Sequence, residues 1–140
     1  MRLFFVLPLV LACSFSVAEA NSQSDRMVKL IGALPADLSR QDAIDCYGTA
    51  YVTEQTALAA EMPKAVAGAQ ISQSIWSSAL VVRFNFNRDH QDILNQTSSA
   101  TANYKPGEAM VDFGGQGKVT ARSCMLMITE ASKVLKADGK

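Results

Sequence analysis

His90 is the only histidine of the chain, so any serine-histidine-aspartate arrangement would have to use it. Asp89 and Asp92 stand near it, but no Gly-x-Ser-x-Gly nucleophile turn occurs. No Cys/His spacing supplies companions for a metal site either. His90 therefore reads as a solvated histidine at the start of a helix. Asn85-x-Asn87-x-Asp89 offers the alternating oxygens of a calcium loop. His90, however, stands where the sharp turn needs glycine, and Gln96 where a bidentate glutamate belongs. Gly114-Gly115-Gln116-Gly117-Lys118 resembles a phosphate loop, but Asp112 and Val119 occupy positions that require glycine and a hydroxyl residue. It reads as a flexible connector. Glu54, Glu61 and Glu130 are scattered and form no catalytic pair. Glu54 lies on a nearly uncharged segment and is the carboxylate expected to be partly buried. Asn95-Gln96-Thr97 is a glycosylation sequon, relevant only in a eukaryotic secretory pathway. No cofactor motif is present.

The aromatic residues are the other candidates. Trp76, Phe84, Phe86, Tyr47 and Tyr51 would make either an ordinary core, a ligand cavity or an interface hot spot. Gly68 belongs with them in that possible interface or ligand cavity, and with the neighbouring alanines it suits close helix packing.

Cysteine usage depends on where the chain begins its mature life. Met1-Arg2 is a short cationic start, Leu3 to Ala12 an apolar core, and Ala18-Glu19-Ala20 a small-x-small cleavage site. That is the layout of a secretory signal peptide over residues 1–20, with a mature domain over 21–140. The apolar run is too short to span a bilayer, and no other stretch of the mature chain reads as a transmembrane segment. A competing arrangement is lipid anchoring through Cys13, because Val10-Leu11-Ala12-Cys13 resembles a lipobox, although Leu11 fits it poorly. Once residues 1–20 are removed, Cys46 and Cys124 remain. An even pair in an oxidising compartment implies one disulfide.

Hydropathy spacing predicts the elements that must position these residues. Met27, Val28, Leu30, Ile31 and Leu34 form one face of a short first helix, capped by Ser24 or Asp25 and ended before Pro35. Ser39 with Asp42 approximates a capping box and opens a helix over 40–61, which Pro63 ends. From Ala65 to Val82 the chain carries no charge at all. An uncharged helix is usually covered on several sides, so this one is expected to be the buried axis of the domain. Val82, Phe84 and Phe86 alternate with polar residues, which leaves a short strand open as an alternative there. A break is expected near 84–88. Asn87 would cap a further helix through Ile93, Leu94, Ala100 and Tyr104, closed by Lys105-Pro106-Gly107. The last helix is expected over 119–137, with Cys124, Met127, Ile128, Ala131, Val134 and Leu135 on one stripe. Both mature cysteines thus fall on apolar helix faces.

These observations give an all-α fold, a four- or five-helix bundle-like domain with one interhelical disulfide. The chain carries 13 basic and 13 acidic side chains. Loss of residues 1–20 removes Arg2 and Glu19 together and keeps the balance. Nothing is basic enough to track a phosphate backbone, which excludes nucleic acid as a partner. The sequence points first to a periplasmic or secreted interaction protein of inhibitor, immunity or stress type, acting on another protein or as a homodimer. A helical carrier of a small apolar ligand is second, and an enzyme third.

Overall fold

Eight consecutive residues of one helix, Ala43 to Ala50, are buried, and the domain forms around that segment. The computed structural model describes residues 22–97 and 121–139. They form five helices and no strand: α1 over 22–32, α2 Arg40–Ala59, α3 Pro63–Phe84, α4 His90–Asn95 and α5 Ala121–Asp138. The all-α expectation and the link between helices are both met: Cys46 of α2 and Cys124 of α5 form a disulfide with 5.6 Å between their Cα atoms.

Local chemistry explains most boundaries. Ser39 Oγ accepts from the Asp42 amide at 3.0 Å, and Asp42 Oδ2 accepts from the Ser39 amide at 3.2 Å. Aspartate therefore completes the capping box that usually takes glutamate or glutamine. At the far end of α2 the Met62 amide donates to Ala57 O and the Glu61 amide to Leu58 O. This is a Schellman closure, and it holds Glu61 at a positive φ of 54°. Pro63 then starts α3, where its missing N–H costs nothing. The three residues between α2 and α3 make an antiparallel helical hairpin. α3 continues to Phe84, so the helical rather than the strand expectation holds up to that residue. It ends with Asn85 at φ 50°, where the Asn85 and Phe86 amides both donate to Leu80 O.

Three expectations differ in detail. Ser24 and Asp25 lie inside α1 rather than capping it, because the helix already includes residue 22. Asp89, not Asn87, caps α4: its Oδ1 accepts from the Gln91 and Asp92 amides, while Asn87 Oδ1 accepts from Asp89 N. α4 itself closes at Asn95, shorter than the spacing suggested. Ala100, Tyr104, Lys105-Pro106-Gly107 and the Gly114–Lys118 stretch lie outside the described residues, as does the segment 1–20.

The larger correction concerns the axis. Among α2 to α5, α2 approaches every other helix, whereas α3 approaches α2 alone. Trp76, Ala79 and Leu80 of α3 are buried against Ile31, Leu34, Ile44 and Tyr47. The opposite face is open, with Ile71 61% and Val82 54% exposed. Gln70 and Ser74 share that exposed side, so uncharged polar groups do the work that charges usually do on an outer face. α2 tolerates burial because its polar groups are satisfied: Asp45 accepts from Gln41 Nε2 at 3.0 Å, and Thr49 Oγ1 donates to Asp45 O at 2.8 Å.

Candidate functional site

A groove of about 560 Å³ runs along the seam of α2 and α3 and beneath α5. Its floor comes from α2 at Cys46, Thr49, Ala50 and Thr53, positions at zero, three, four and seven that share one helix face. One wall comes from α3 at Ala65, Gly68, Ala69, Ser72 and Trp76, again at helical spacing. The other comes from α5 at Arg122, Cys124, Met125 and Ile128. α3 and α5 do not approach each other. The disulfide holds α5 against α2, and the gap between the two walls is the groove.

Small residues create the volume. The Cβ that a larger residue would carry at Gly68 meets nothing within 4 Å, so this glycine leaves space open and does not serve a close helix approach. Ala65, Ala69 and Ala50 add short side chains along the same seam. Trp76 lines the inner part and is only 1% exposed. The lining hydroxyls of α2 are spent within their own helix: Thr49 Oγ1 donates to Asp45 O, and Thr53 Oγ1 to Thr49 O at 2.9 Å. What remains is an apolar surface in the size range of small-molecule sites, about 300–1,000 Å³. Met125, 59% exposed, stands at its edge. Arg122 is the one charged residue among the described residues of the lining.

The other aromatic candidates gather elsewhere. Tyr47 Oη and His90 Nδ1 lie 2.5 Å apart, and the Tyr51 ring meets His90 edge-on with centroids 4.7 Å apart. His90, expected to be solvated, is exposed overall, yet its ring joins α4 to α2. Burial pushes the Tyr47 phenol above its ordinary range, helped by the Glu54 carboxylate, Tyr51 and Asp89. The Tyr47–His90 contact fastens α4 to α2. Phe86 lies beneath the Arg40 guanidinium at 4.7 Å, and Phe84 near that of Arg83 at 5.9 Å. Both phenylalanines are packed against the core at the end of α3. Of the residues singled out from sequence, Trp76, Gly68, Cys46 and Cys124 therefore come together at the groove. Tyr47 and Tyr51 face α4, and Phe84 and Phe86 mark the α3–α4 junction.

The remaining polar motifs are structural here. Glu54 is half-buried and accepts from Gln70 Nε2 at 3.2 Å and from Gln73 Nε2, which ties α2 to the uncharged stretch of α3. Asn87 Nδ2 donates to Asp92 Oδ2 at 3.0 Å, and Asn95 Oδ1 accepts from Gln91 Nε2 at 3.0 Å. Sequence reasoning missed the groove walls at Thr49, Thr53, Ala65, Ser72, Arg122 and Met125. The signal was available as facing stripes of small residues on two helices, but the same stripes also suit close helix contact.

A second recess of about 830 Å³ lies between α1 and the end of α5, with Arg26, Lys29, Lys136 and Asp138 around it. It is wider and more polar than the groove. No protein-family model, curated protein or solved structure matches this chain, and the functional reading therefore rests on geometry.

Proposed function

We propose that this protein is a non-catalytic, exported binding protein whose α2–α3–α5 groove takes a small apolar ligand. One observation carries the reading: an apolar groove of ligand size that stays open at Gly68 and has Trp76 and the disulfide in its wall. In a domain this small, unfilled volume in a helical seam reduces stability by removing contact partners. A ligand that fills it restores those contacts.

Export belongs to the same proposal. Residues 1–20 act as a signal peptide, cleavage follows Ala20, and the Cys46–Cys124 disulfide suits an oxidising compartment such as the periplasm. Among the described residues no helix is long and apolar enough to cross a membrane.

Protein-protein interaction is the second reading, favoured by the outward Ile71 and Val82 on the uncharged stretch of α3. Native mass spectrometry and organic-solvent extraction of the processed protein, purified from the cell envelope, test the two. A small molecule retained by the monomer and released by solvent is the expected result. A ligand-free homodimer or a captured protein, together with failure to take up 1-dodecanol, would contradict the carrier reading.

A further inference from the structure

Among the described residues the groove has one charged side chain, and its position says what kind of apolar ligand suits it. Arg122 lies two residues before Cys124, on the α5 wall. It lines the groove and is nevertheless exposed, so the guanidinium stands at the rim. Among the described residues the one ion pair joins Lys133 to Glu130, and Arg122 is not part of it. No carboxylate of the described chain lines the groove to balance this charge. Inward of Arg122 the surface is apolar, and the Thr49 and Thr53 hydroxyl protons are already committed.

We infer that the groove binds a single-chain amphiphile with an anionic head, its alkyl tail lying along Trp76 and Gly68 and its carboxylate on Arg122. This rests on the carrier reading and narrows it. The tail supplies most of the affinity, since each buried methylene contributes about 0.8 kcal/mol. The head supplies selection: a guanidinium takes a carboxylate in a paired, planar geometry, which an alcohol or an ammonium head cannot reproduce. Because Arg122 is exposed, the selection is modest and salt-sensitive.

The test uses the processed, disulfide-bonded protein with three probes of equal chain length: dodecanoate, 1-dodecanol and dodecyltrimethylammonium, each kept monomeric. Trp76 is the sole tryptophan, so its emission reports filling of the groove, and calorimetry gives the affinity. Dodecanoate is expected to bind about fivefold more tightly than 1-dodecanol at low salt, a ratio that shrinks as salt is raised. Arg122→Gln should bring the two to parity with little change for 1-dodecanol, and Arg122→Glu should move the preference to the ammonium probe. Equal binding of dodecanoate and 1-dodecanol to the wild-type protein, unaltered in Arg122→Gln, overturns the anionic head while leaving the groove as a neutral apolar site. A wild-type preference for the ammonium probe overturns it as well. Absence of binding by all three overturns both the head-group assignment and the carrier reading. Binding that is indifferent to Gly68→Leu would place the probe outside the groove and likewise overturn the proposal.

Discussion

Tyr47 is held by a hydrogen bond and by burial, and burial makes its contribution to stability depend on pH at the alkaline end. Its hydroxyl bonds to His90 Nδ1, and burial, Glu54, Tyr51 and Asp89 all raise its pKa above the ordinary 10.0. A folded-state pKa above the unfolded one means that the folded protein holds this proton more firmly. The associated stability is complete below about pH 10 and is lost as pH rises through the folded value. In an alkaline absorbance titration, a phenolate step later than that of a free tyrosine is expected while the helical signal persists. Tyr47→Phe should remove that late step and cost about 1 kcal/mol at neutral pH, the usual worth of one hydrogen bond. A titration in which the late step survives Tyr47→Phe would assign it to another phenol. The pairing was hidden in the sequence because His90 and Tyr47 are 43 residues apart, and a histidine at a helix start gives no local sign of a distant phenol. Trp76 was easier to place, since its helical register with Ala69 and Leu80 puts it on one apolar stripe, although core, cavity and interface remain open on that stripe.

Helix ends and helix faces record where the chain departs from its own local preferences. Glu61 occupies a left-handed position at the close of α2, where a side chain is strained and glycine is not. Glu61→Gly is expected to raise stability by about 0.5–1 kcal/mol in denaturant unfolding, although glycine normally loosens a chain. Gly68 is the opposite case, a glycine inside a helix whose absent Cβ has open space around it. Gly68→Ala should therefore stabilise the protein by about 1 kcal/mol through helix propensity alone. A loss of stability in that variant would mean that the seam is tighter than 4 Å suggests. The capping box at Ser39 could be read directly from residue order, as could Pro63 at the start of α3. The Schellman closure at Glu61 could not be read, because no glycine marks it. The covered side of α3 is visible in its spacing, but its outer side is not: lack of charge does not require cover, because Gln70 and Ser74 satisfy water without charge.

At the scale of the molecule, the disulfide decides whether there is a groove at all. Among α2 to α5, the last helix approaches only α2, and Cys46–Cys124 closes a sequence separation of 78. The chain-entropy relation gives about 4.5 kcal/mol for such a closure, and native disulfides typically return about 2–4 kcal/mol. Reduction, or the Cys46→Ser/Cys124→Ser pair, should lower stability by about that amount. Hydrogen exchange should then show α5 losing protection ahead of the α2–α3 hairpin. The pairing of these cysteines was legible because they are the two that remain once residues 1–20 are removed, and both fall on apolar helix faces. The groove was not, since volume depends on how far apart the disulfide and the hairpin set α3 and α5. The carrier reading depends on that volume, and Gly68→Leu fills it from the α3 side while improving helix propensity. The direct measurement is a titration of wild-type and Gly68→Leu proteins with 1-dodecanol, followed by Trp76 emission alongside thermal unfolding. Saturable binding to the wild type, weakened at least about tenfold (1.4 kcal/mol) in a variant that unfolds at the same or higher temperature, is the predicted result. No saturable binding to the wild type, or equal affinity in the two proteins, would contradict the account.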